Sequence, residues 1–80
     1  MKIAVKFFAY RELAGTSESV LELPAAATVA DLVAVLGQWF PGLFPRAGQA
    51  IYLVNQQIGA QDTALSDGDV VVMLQTVAGG

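Results

Sequence analysis

Near its C-terminal end the chain reads Val70-Val71-Val72-Met73-Leu74-Gln75, an apolar run that follows the polar turn Ser66-Asp67-Gly68-Asp69. Because side chains alternate between the two faces of a strand, this run is apolar on both faces. Strands of that kind are buried on both sides and are typical of the centre of a sheet with parallel pairs. The sequence therefore predicts a last strand over residues 70–75 in a central position.

The clearest helix begins at Thr28. Its hydroxyl can cap the first turn, and Asp31 three residues later supplies the acidic half of a capping box. Apolar residues then recur at helical spacing and form one stripe, namely Val29, Leu32, Val33, Leu36 and Phe40. Pro41-Gly42 ends the pattern. Since one helix covers only one face of a sheet, the other face is predicted to lie open.

The remaining segments predict the other strands. Residues 1–10 alternate, which places Ile3, Val5, Phe7 and Ala9 on the core face of a first strand. A helical turn at Arg11–Ala14, closed by Gly15, precedes a second strand at Val20–Leu23. Further strands are predicted at Ala50–Val54 and, as a short edge strand, near Gln57–Ala60.

The order β-β-α-β-β-β, with the helix between the second and third strands, lets the first and last strands pair in parallel at the sheet centre. This is the β-grasp, or ubiquitin-like, arrangement. The predicted fold is α+β, a mixed sheet with one main helix on one face. Residues 1–80 form a single domain in this prediction, and the last residues, about 75–80, project from the central strand as a tail.

The open face of the predicted sheet is a candidate partner interface. Phe8, Val72 and Leu74 would lie together there if the first and last strands are neighbours. Isolated exposed apolar side chains are ordinary, but a contiguous patch marks an interaction site. Hydrophobic residues are 55% of the chain and charged residues only 14%, which favours an interface on this face.

The chain ends in Val77-Ala78-Gly79-Gly80 and contains no Cys and no His. Without a thiol or an imidazole, its side chains have few ways to do covalent chemistry. A terminal carboxylate on two residues that lack a Cβ can instead be carried through a narrow channel into another protein's active site. Small residues are also tolerated at frayed chain ends, so the terminus alone leaves both interpretations open.

Composition argues against several function classes. The net charge is −3, and the four cations, Lys2, Lys6, Arg11 and Arg46, are too scattered for nucleic-acid binding. The longest apolar stretches fall well short of a membrane span, and Met1 leads directly into a strand pattern, so a cytoplasmic location is expected. We find no nucleophile with a base, no phosphate-binding loop and no His or Cys metal set, which disfavours an independent enzyme.

Four segments of the chain, in order, resemble the small, sulfur-carrier subunit of molybdopterin synthase. They are Phe7-Phe8-Ala9-Tyr10-Arg11-Glu12-Leu13-Ala14-Gly15-Thr16, Val54-Asn55-Gln56, Leu65-Ser66-Asp67-Gly68-Asp69-Val70 and Gly79-Gly80. The first is the most specific. The chain departs from that family just before the tail, where Met73, Leu74, Gln75 and Thr76 replace the aromatic and proline residues common there.

The resemblance implies a mechanism that centres on the terminus. A ubiquitin-activating-type adenylyltransferase would use ATP to adenylate the Gly80 carboxylate, and a sulfur donor protein would displace AMP to leave a thiocarboxylate. The tail, with Val77, Ala78 and Gly79, would then thread into the large catalytic subunit. There the sulfur would pass to a cyclic pyranopterin precursor and build the dithiolene that later holds molybdenum. The resemblance implies no permanently bound cofactor, and it assigns the catalytic side chains to the partners.

Other functions share parts of this pattern. A protein-conjugating modifier has the same fold and diglycine but leaves its terminal Gly in isopeptide bonds to lysines. A thiamine-pathway sulfur carrier shares the chemistry, but it is usually shorter and lacks the Arg11-Glu12-Leu13 segment. A simple interaction module of this fold needs no terminal diglycine.

Overall fold

Five strands form one mixed sheet in the part of the chain that the computed structural model describes, residues 1–43 and 46–75. In chain order they are β1 (Lys2–Lys6), β2 (Glu18–Glu22), β3 (Ile51–Val54), β4 (Gln57–Ile58) and β5 (Val70–Leu74). The one-turn helix α1 (Arg11–Ala14) follows β1, and α2 (Val29–Trp39) connects β2 to β3. Short 3-10 turns lie at Phe8–Tyr10, Pro41–Leu43 and Arg46–Gln49. The sheet order β2-β1-β5-β3-β4 is that of the β-grasp fold.

The last strand is central, as its two apolar faces predict. It pairs in parallel with β1 and antiparallel with β3. Val71 and Met73 are fully buried, whereas Val70, Val72 and Leu74 on the opposite face are half-buried. The strand ends at Leu74, one residue before the predicted boundary.

The helix α2 supplies the other half of the core. Its capping box forms as predicted: the Thr28 N–H donates to the Asp31 carboxylate at 2.8 Å, and the Asp31 N–H donates to the Thr28 hydroxyl at 3.4 Å. The predicted stripe packs against the sheet, with Val29, Leu32 and Leu36 buried. No charged side chain is buried in residues 1–43 and 46–75, so apolar packing holds the two layers together.

The first strand is shorter than predicted. It ends at Lys6, and residues 8–10 form a 3-10 turn in which the Tyr10 N–H donates to the Phe7 carbonyl at 2.9 Å. Side chains three residues apart eclipse in such a turn, so Tyr10 joins Phe7 in the core. Ala9, which the period of two assigns to the core face, is exposed instead. The prediction was wrong because the backbone period changes at Phe7.

Two turns fix the start of β5. Asn55 and Gln56 have φ values of 50° and 73°, the left-handed geometry of a tight hairpin between β3 and β4. The Asn55 side chain donates to the Asp69 carboxylate at 2.8 Å and accepts from the Val70 N–H at 2.9 Å. Gly68, at φ 86°, completes the turn before β5. The hairpin and the last strand are thereby joined at one end of the sheet.

Candidate partner interface at the end of the last strand

One face of the sheet carries no helix. Alternation places Val72 and Leu74 of β5 on this face, since Val71 and Met73 point into the core. The strand register puts Leu53 beside Val72. We call this side of the sheet the open face.

Phe8 stands at the edge of this face. Because β1 and β5 are parallel, the residues after β1 lie beside the C-terminal end of β5, and the turn Phe8–Tyr10 packs against that strand. The Phe8 side chain is 51% exposed. The structure therefore brings the turn that carries Phe8 to the strand that carries Val72 and Leu74, although whether a partner binds these residues stays a prediction.

The backbone at Phe8 is unusual. Its φ of 45° lies in the left-handed region, which non-glycine residues rarely occupy, and the Arg11 guanidinium donates to its carbonyl at 3.2 Å. Backbone strain of this kind costs about 1–3 kcal/mol and concentrates at functional sites. The strained turn follows directly after β1 and keeps the large apolar side chain of Phe8 half-exposed to solvent.

Two further residues of this surface, Ile51 and Leu53, were not predicted from the sequence. Ile51 and Leu53 pair with Leu74 and Val72, and the Ile51 side chain is exposed. The alternation of residues 50–54 could have predicted them. Tyr52 is buried, so its neighbours Ile51 and Leu53 lie on the opposite face of the same strand. The apolar patch therefore extends from β5 across β3.

The tail begins beside this patch. β5 ends at Leu74, and the exposed Gln75 follows it. The predicted tail residues Val77, Ala78, Gly79 and Gly80, together with Thr76, lie outside the described residues. The last described residue thus leaves the sheet at the same end as Phe8.

The described residues contain one strongly perturbed ionisable group. Burial, with a smaller contribution from Tyr10, raises the pKa of the Tyr52 phenol well above its usual value of 10.0. Its hydroxyl donates to the Ala47 carbonyl, so the group is neutral and structural. Within residues 1–43 and 46–75, no group of three or more His, Cys, Asp or Glu side chains is arranged to hold a metal ion.

No helix in residues 1–43 and 46–75 is both long enough and apolar enough to cross a membrane.

The chain is similar to known proteins both in sequence and in structure. The sequence model of the ThiS family matches residues 5–80. SAMP1 from Haloferax volcanii, a small archaeal modifier protein, superposes with a TM-score of 0.88 at 26% identity, with 100% of both chains covered. The putative molybdopterin converting factor subunit 1 from Pyrococcus furiosus gives a TM-score of 0.85 at 31% identity, over 96% of this chain and 99% of that one.

A third neighbour comes from a complex. A chain in the complex of subunits 1 and 2 of molybdopterin-converting factor from Helicobacter pylori matches with a TM-score of 0.70 at 28% identity, with 100% of both chains covered. All three neighbours match nearly the full length of this chain, so the similarity covers the overall β-grasp fold.

Proposed function

The chain belongs to the ThiS family, and from this premise we propose that it is a sulfur carrier of molybdopterin synthesis. Its C-terminal Gly80 is adenylated, converted to a thiocarboxylate and used to donate sulfur to a cyclic pyranopterin precursor. The chain acts as the small subunit beside a large catalytic subunit. One structural neighbour is a putative molybdopterin converting factor subunit 1, and another is a chain in a complex of subunits 1 and 2 of a molybdopterin-converting factor, which supports this choice within the family.

The observation that carries the proposal is the position of the apolar patch relative to the tail. Val72 and Leu74 lie in the last part of β5, the turn that carries Phe8 contacts this strand, and the sequence continues from its end through residues 76–80 to the diglycine. Five residues reach at most about 17 Å when fully extended. A partner that covers the open face is therefore close enough to receive Gly80 in its own active site.

The chemistry needs four steps that all involve the Gly80 carboxyl group: adenylation, sulfur substitution, sulfur transfer and hydrolysis. The Gly80 carboxylate attacks the α-phosphorus of ATP and releases pyrophosphate, which gives an acyl adenylate with AMP as leaving group. Hydrosulfide delivered by the sulfur donor protein then attacks the carbonyl carbon, its proton is lost and AMP is expelled, so that a thiocarboxylate remains. The thiocarboxylate sulfur forms a bond to a carbon of the precursor as that carbon loses an oxygen substituent, and water then cleaves the acyl–sulfur bond, which restores the Gly80 carboxylate and leaves the sulfur on the precursor. ATP is consumed in the activating enzyme, so this chain needs no permanently bound cofactor.

The partners supply the side chains for these steps. The ubiquitin-activating-type adenylyltransferase binds ATP, the sulfur donor protein provides the nucleophile, and the large subunit binds the precursor. This chain supplies the carboxylate, the tail of Val77, Ala78 and Gly79 that fits a narrow channel, and the docking surface. A chain without Cys or His suits this division of labour.

A protein modifier is the second candidate function. The high structural similarity to SAMP1 favours it. In that case the activated Gly80 would form isopeptide bonds with lysine side chains of other proteins, and the patch around Phe8 would bind the conjugating enzyme. The two functions share the adenylate and differ in the nucleophile that follows it.

Mass spectrometry of the protein purified from its native source separates them. If the chain is a sulfur carrier, part of the sample has a higher mass, by the difference between one sulfur atom and one oxygen atom at Gly80. Oxidation of Met1 or Met73 adds nearly the same mass, so the sample is also treated with iodoacetamide. Because the chain has no Cys, alkylation at neutral pH labels the thiocarboxylate selectively. Tryptic peptides in which residues 47–80 of this chain are joined through Gly80 to lysines of other proteins, with no alkylated Gly80, would support the modifier and refute the sulfur carrier.

A further inference from the structure

The strand β2 forms a free edge of the sheet. The Phe7 N–H donates to the Ser17 carbonyl and the Leu23 N–H to the Met1 carbonyl, so odd-numbered residues of this segment bond to β1. Antiparallel pairing alternates, and the even-numbered residues Glu18, Val20 and Glu22 therefore direct their N–H and C=O groups away from the sheet. In the described part of the chain no strand lies on that side of β2.

An apolar groove runs beside this edge. It encloses about 310 Å³ and is lined by Ser19, Val20, Leu21, Glu22, Trp39 and Phe40, which we call the edge groove. Trp39 is 70% exposed and Val20 is 64% exposed. The neighbouring Phe40 is anchored, since its ring packs edge-on against Phe7 at 5.1 Å and its N–H donates to the Leu36 carbonyl at 2.8 Å. These contacts fix the backbone next to Trp39, whose side chain lines the groove.

We propose that the edge groove binds an extended segment of a partner protein in which apolar residues are flanked by Lys or Arg. The segment adds to β2 as an antiparallel strand and takes its main-chain hydrogen bonds from Val20 and Glu22. Alternate side chains of the added strand enter the groove beside Trp39. This surface differs from the patch around Phe8, so the proposal goes beyond the sulfur-carrier function and does not depend on it.

Charge selects the occupant. Glu18 and Glu22 lie two residues on either side of Val20, and both are exposed; Lys6 and Lys2 of β1 lie opposite them on the inner side, and the outer side faces the groove's occupant. Among the described residues the one ion pair is that of the Met1 ammonium with Glu22, at 3.6 Å, and the Glu22 side chain remains 71% exposed. Lys or Arg residues at the positions opposite the two glutamates would pair with them across the strands.

The same charges oppose pairing with a second copy of the chain. The antiparallel register that uses the whole of β2 is centred on Val20 and places Glu18 opposite Glu22 of the second copy, twice over. Like charges directly opposite each other are destabilising. Charged side chains on edge strands oppose self-association. Glu18 and Glu22 therefore favour a basic strand over a second copy of this chain.

A synthetic peptide tests the proposal on the full chain. The probe is the capped peptide Ser-Lys-Ile-Val-Ile-Lys-Ser, which places Val opposite Val20 and Lys opposite Glu18 and Glu22. Trp39 is the single tryptophan, so its fluorescence reports occupancy of the groove. We expect a saturable change in emission. We also expect the Val20 and Glu22 amide protons to exchange about tenfold more slowly at a peptide concentration about nine times the Kd.

Matched peptides and variants complete the test. The peptide with Glu in place of both Lys residues should bind about tenfold more weakly, and the double variant E18K/E22K should reverse this preference. The Leu74→Asp variant, altered in the patch, should bind the Lys peptide like the wild type. Equal binding of the two peptides by the wild type, or unchanged exchange of the Val20 amide, would overturn the proposal. Sedimentation that shows a dimer abolished by Trp39→Ala would also overturn it, because the occupant would then be a second copy.

Discussion

Replacement of Phe8 by Asp is the sharpest test of the patch at the end of β5. Phe8 has φ 45°, a region in which Asp is several-fold enriched over other non-glycine residues, so the backbone should accept the change. The side chain is 51% exposed, and about half of its apolar area is left for a partner to bury. The substitution therefore removes an interface contact with little effect on the fold.

The expected loss has two parts that a second variant separates. Burial of a whole Phe side chain is worth about 1.5–3 kcal/mol, so the exposed half contributes about 1 kcal/mol, and Phe8→Ala should weaken binding to the large subunit about fivefold. A carboxylate left unpaired in an apolar interface adds several kcal/mol. Phe8→Asp should therefore weaken binding by about a hundredfold or more.

Titration calorimetry with the purified large subunit measures both steps. Circular dichroism of the free chain should stay native, and the thermal midpoint should fall by about 4–8 °C, because the buried half of Phe8 contributes about 1 kcal/mol to the free energy of unfolding. Trp39→Asp is the matched control, because Trp39 is also an exposed aromatic residue but lies at the end of α2, away from the patch. If Phe8→Asp bound within about twofold of the wild type, the patch would not be the docking surface.

Four further outcomes are expected. Deletion of Gly80 should abolish dithiolene formation without changing the unfolding midpoint, and activity with purified partners would contradict the terminal chemistry. Gly79→Val should slow both adenylation and sulfur transfer by at least about tenfold, or about 1.4 kcal/mol, in single-turnover assays, and wild-type rates would show that the diglycine is not selected for its small size. Gly42→Ala should lower the free energy of unfolding by about 1–3 kcal/mol in urea titrations, because the new Cβ would lie 2.7 Å from a backbone carbonyl oxygen of α1. Gly48→Ala is the control and should not show this loss, because a Cβ at that position has nothing within 4 Å. Because folding raises the pKa of Tyr52, its contribution to stability should be constant below pH 10 and fall as the pH rises further, and urea titrations should show a smaller alkaline loss in Tyr52→Phe.

The parts of the fold that were predicted correctly share a physical property: their sequence pattern is stable in only one environment. The run of residues 70–74 would expose apolar side chains on both faces at a sheet edge, whereas strands on either side of it bury Val71 and Met73 and leave Val70, Val72 and Leu74 only half-exposed, so its central position follows. Thr28 and Asp31 satisfy free backbone groups that exist only at a helix start. Each of these patterns is therefore compatible with only one position in the tertiary structure.

Residues 8–10 show why other parts could not be predicted. Phe7 is buried either at the end of a strand or at the start of a 3-10 turn, so its apolar character does not distinguish the two. The positive φ of Phe8 carries no signal in its residue type. Ile51 and Leu53 joined the patch only once the strand order placed β3 beside β5. The tail predictions concern residues 76–80, which lie outside the described residues, and they stay predictions.

The patch at the end of β5 and the edge groove are separate surfaces, which suits a carrier that must bind several enzymes in turn. In the proposed cycle the same carboxylate enters an adenylating site and then a sulfur-transfer site, so each complex has to dissociate before the next can form. A patch whose members Val72 and Leu74 are already half-buried in the free chain leaves limited apolar area for a partner to cover, which favours moderate affinity. The edge groove lies on another strand and can remain occupied while the tail changes partners. It follows that Phe8→Asp should slow both chemical steps, because both enzymes must reach the end of β5, whereas E18K/E22K should slow neither with purified enzymes. A variant of the groove that blocked adenylation as strongly as one of the patch would show that the two surfaces form a single interface.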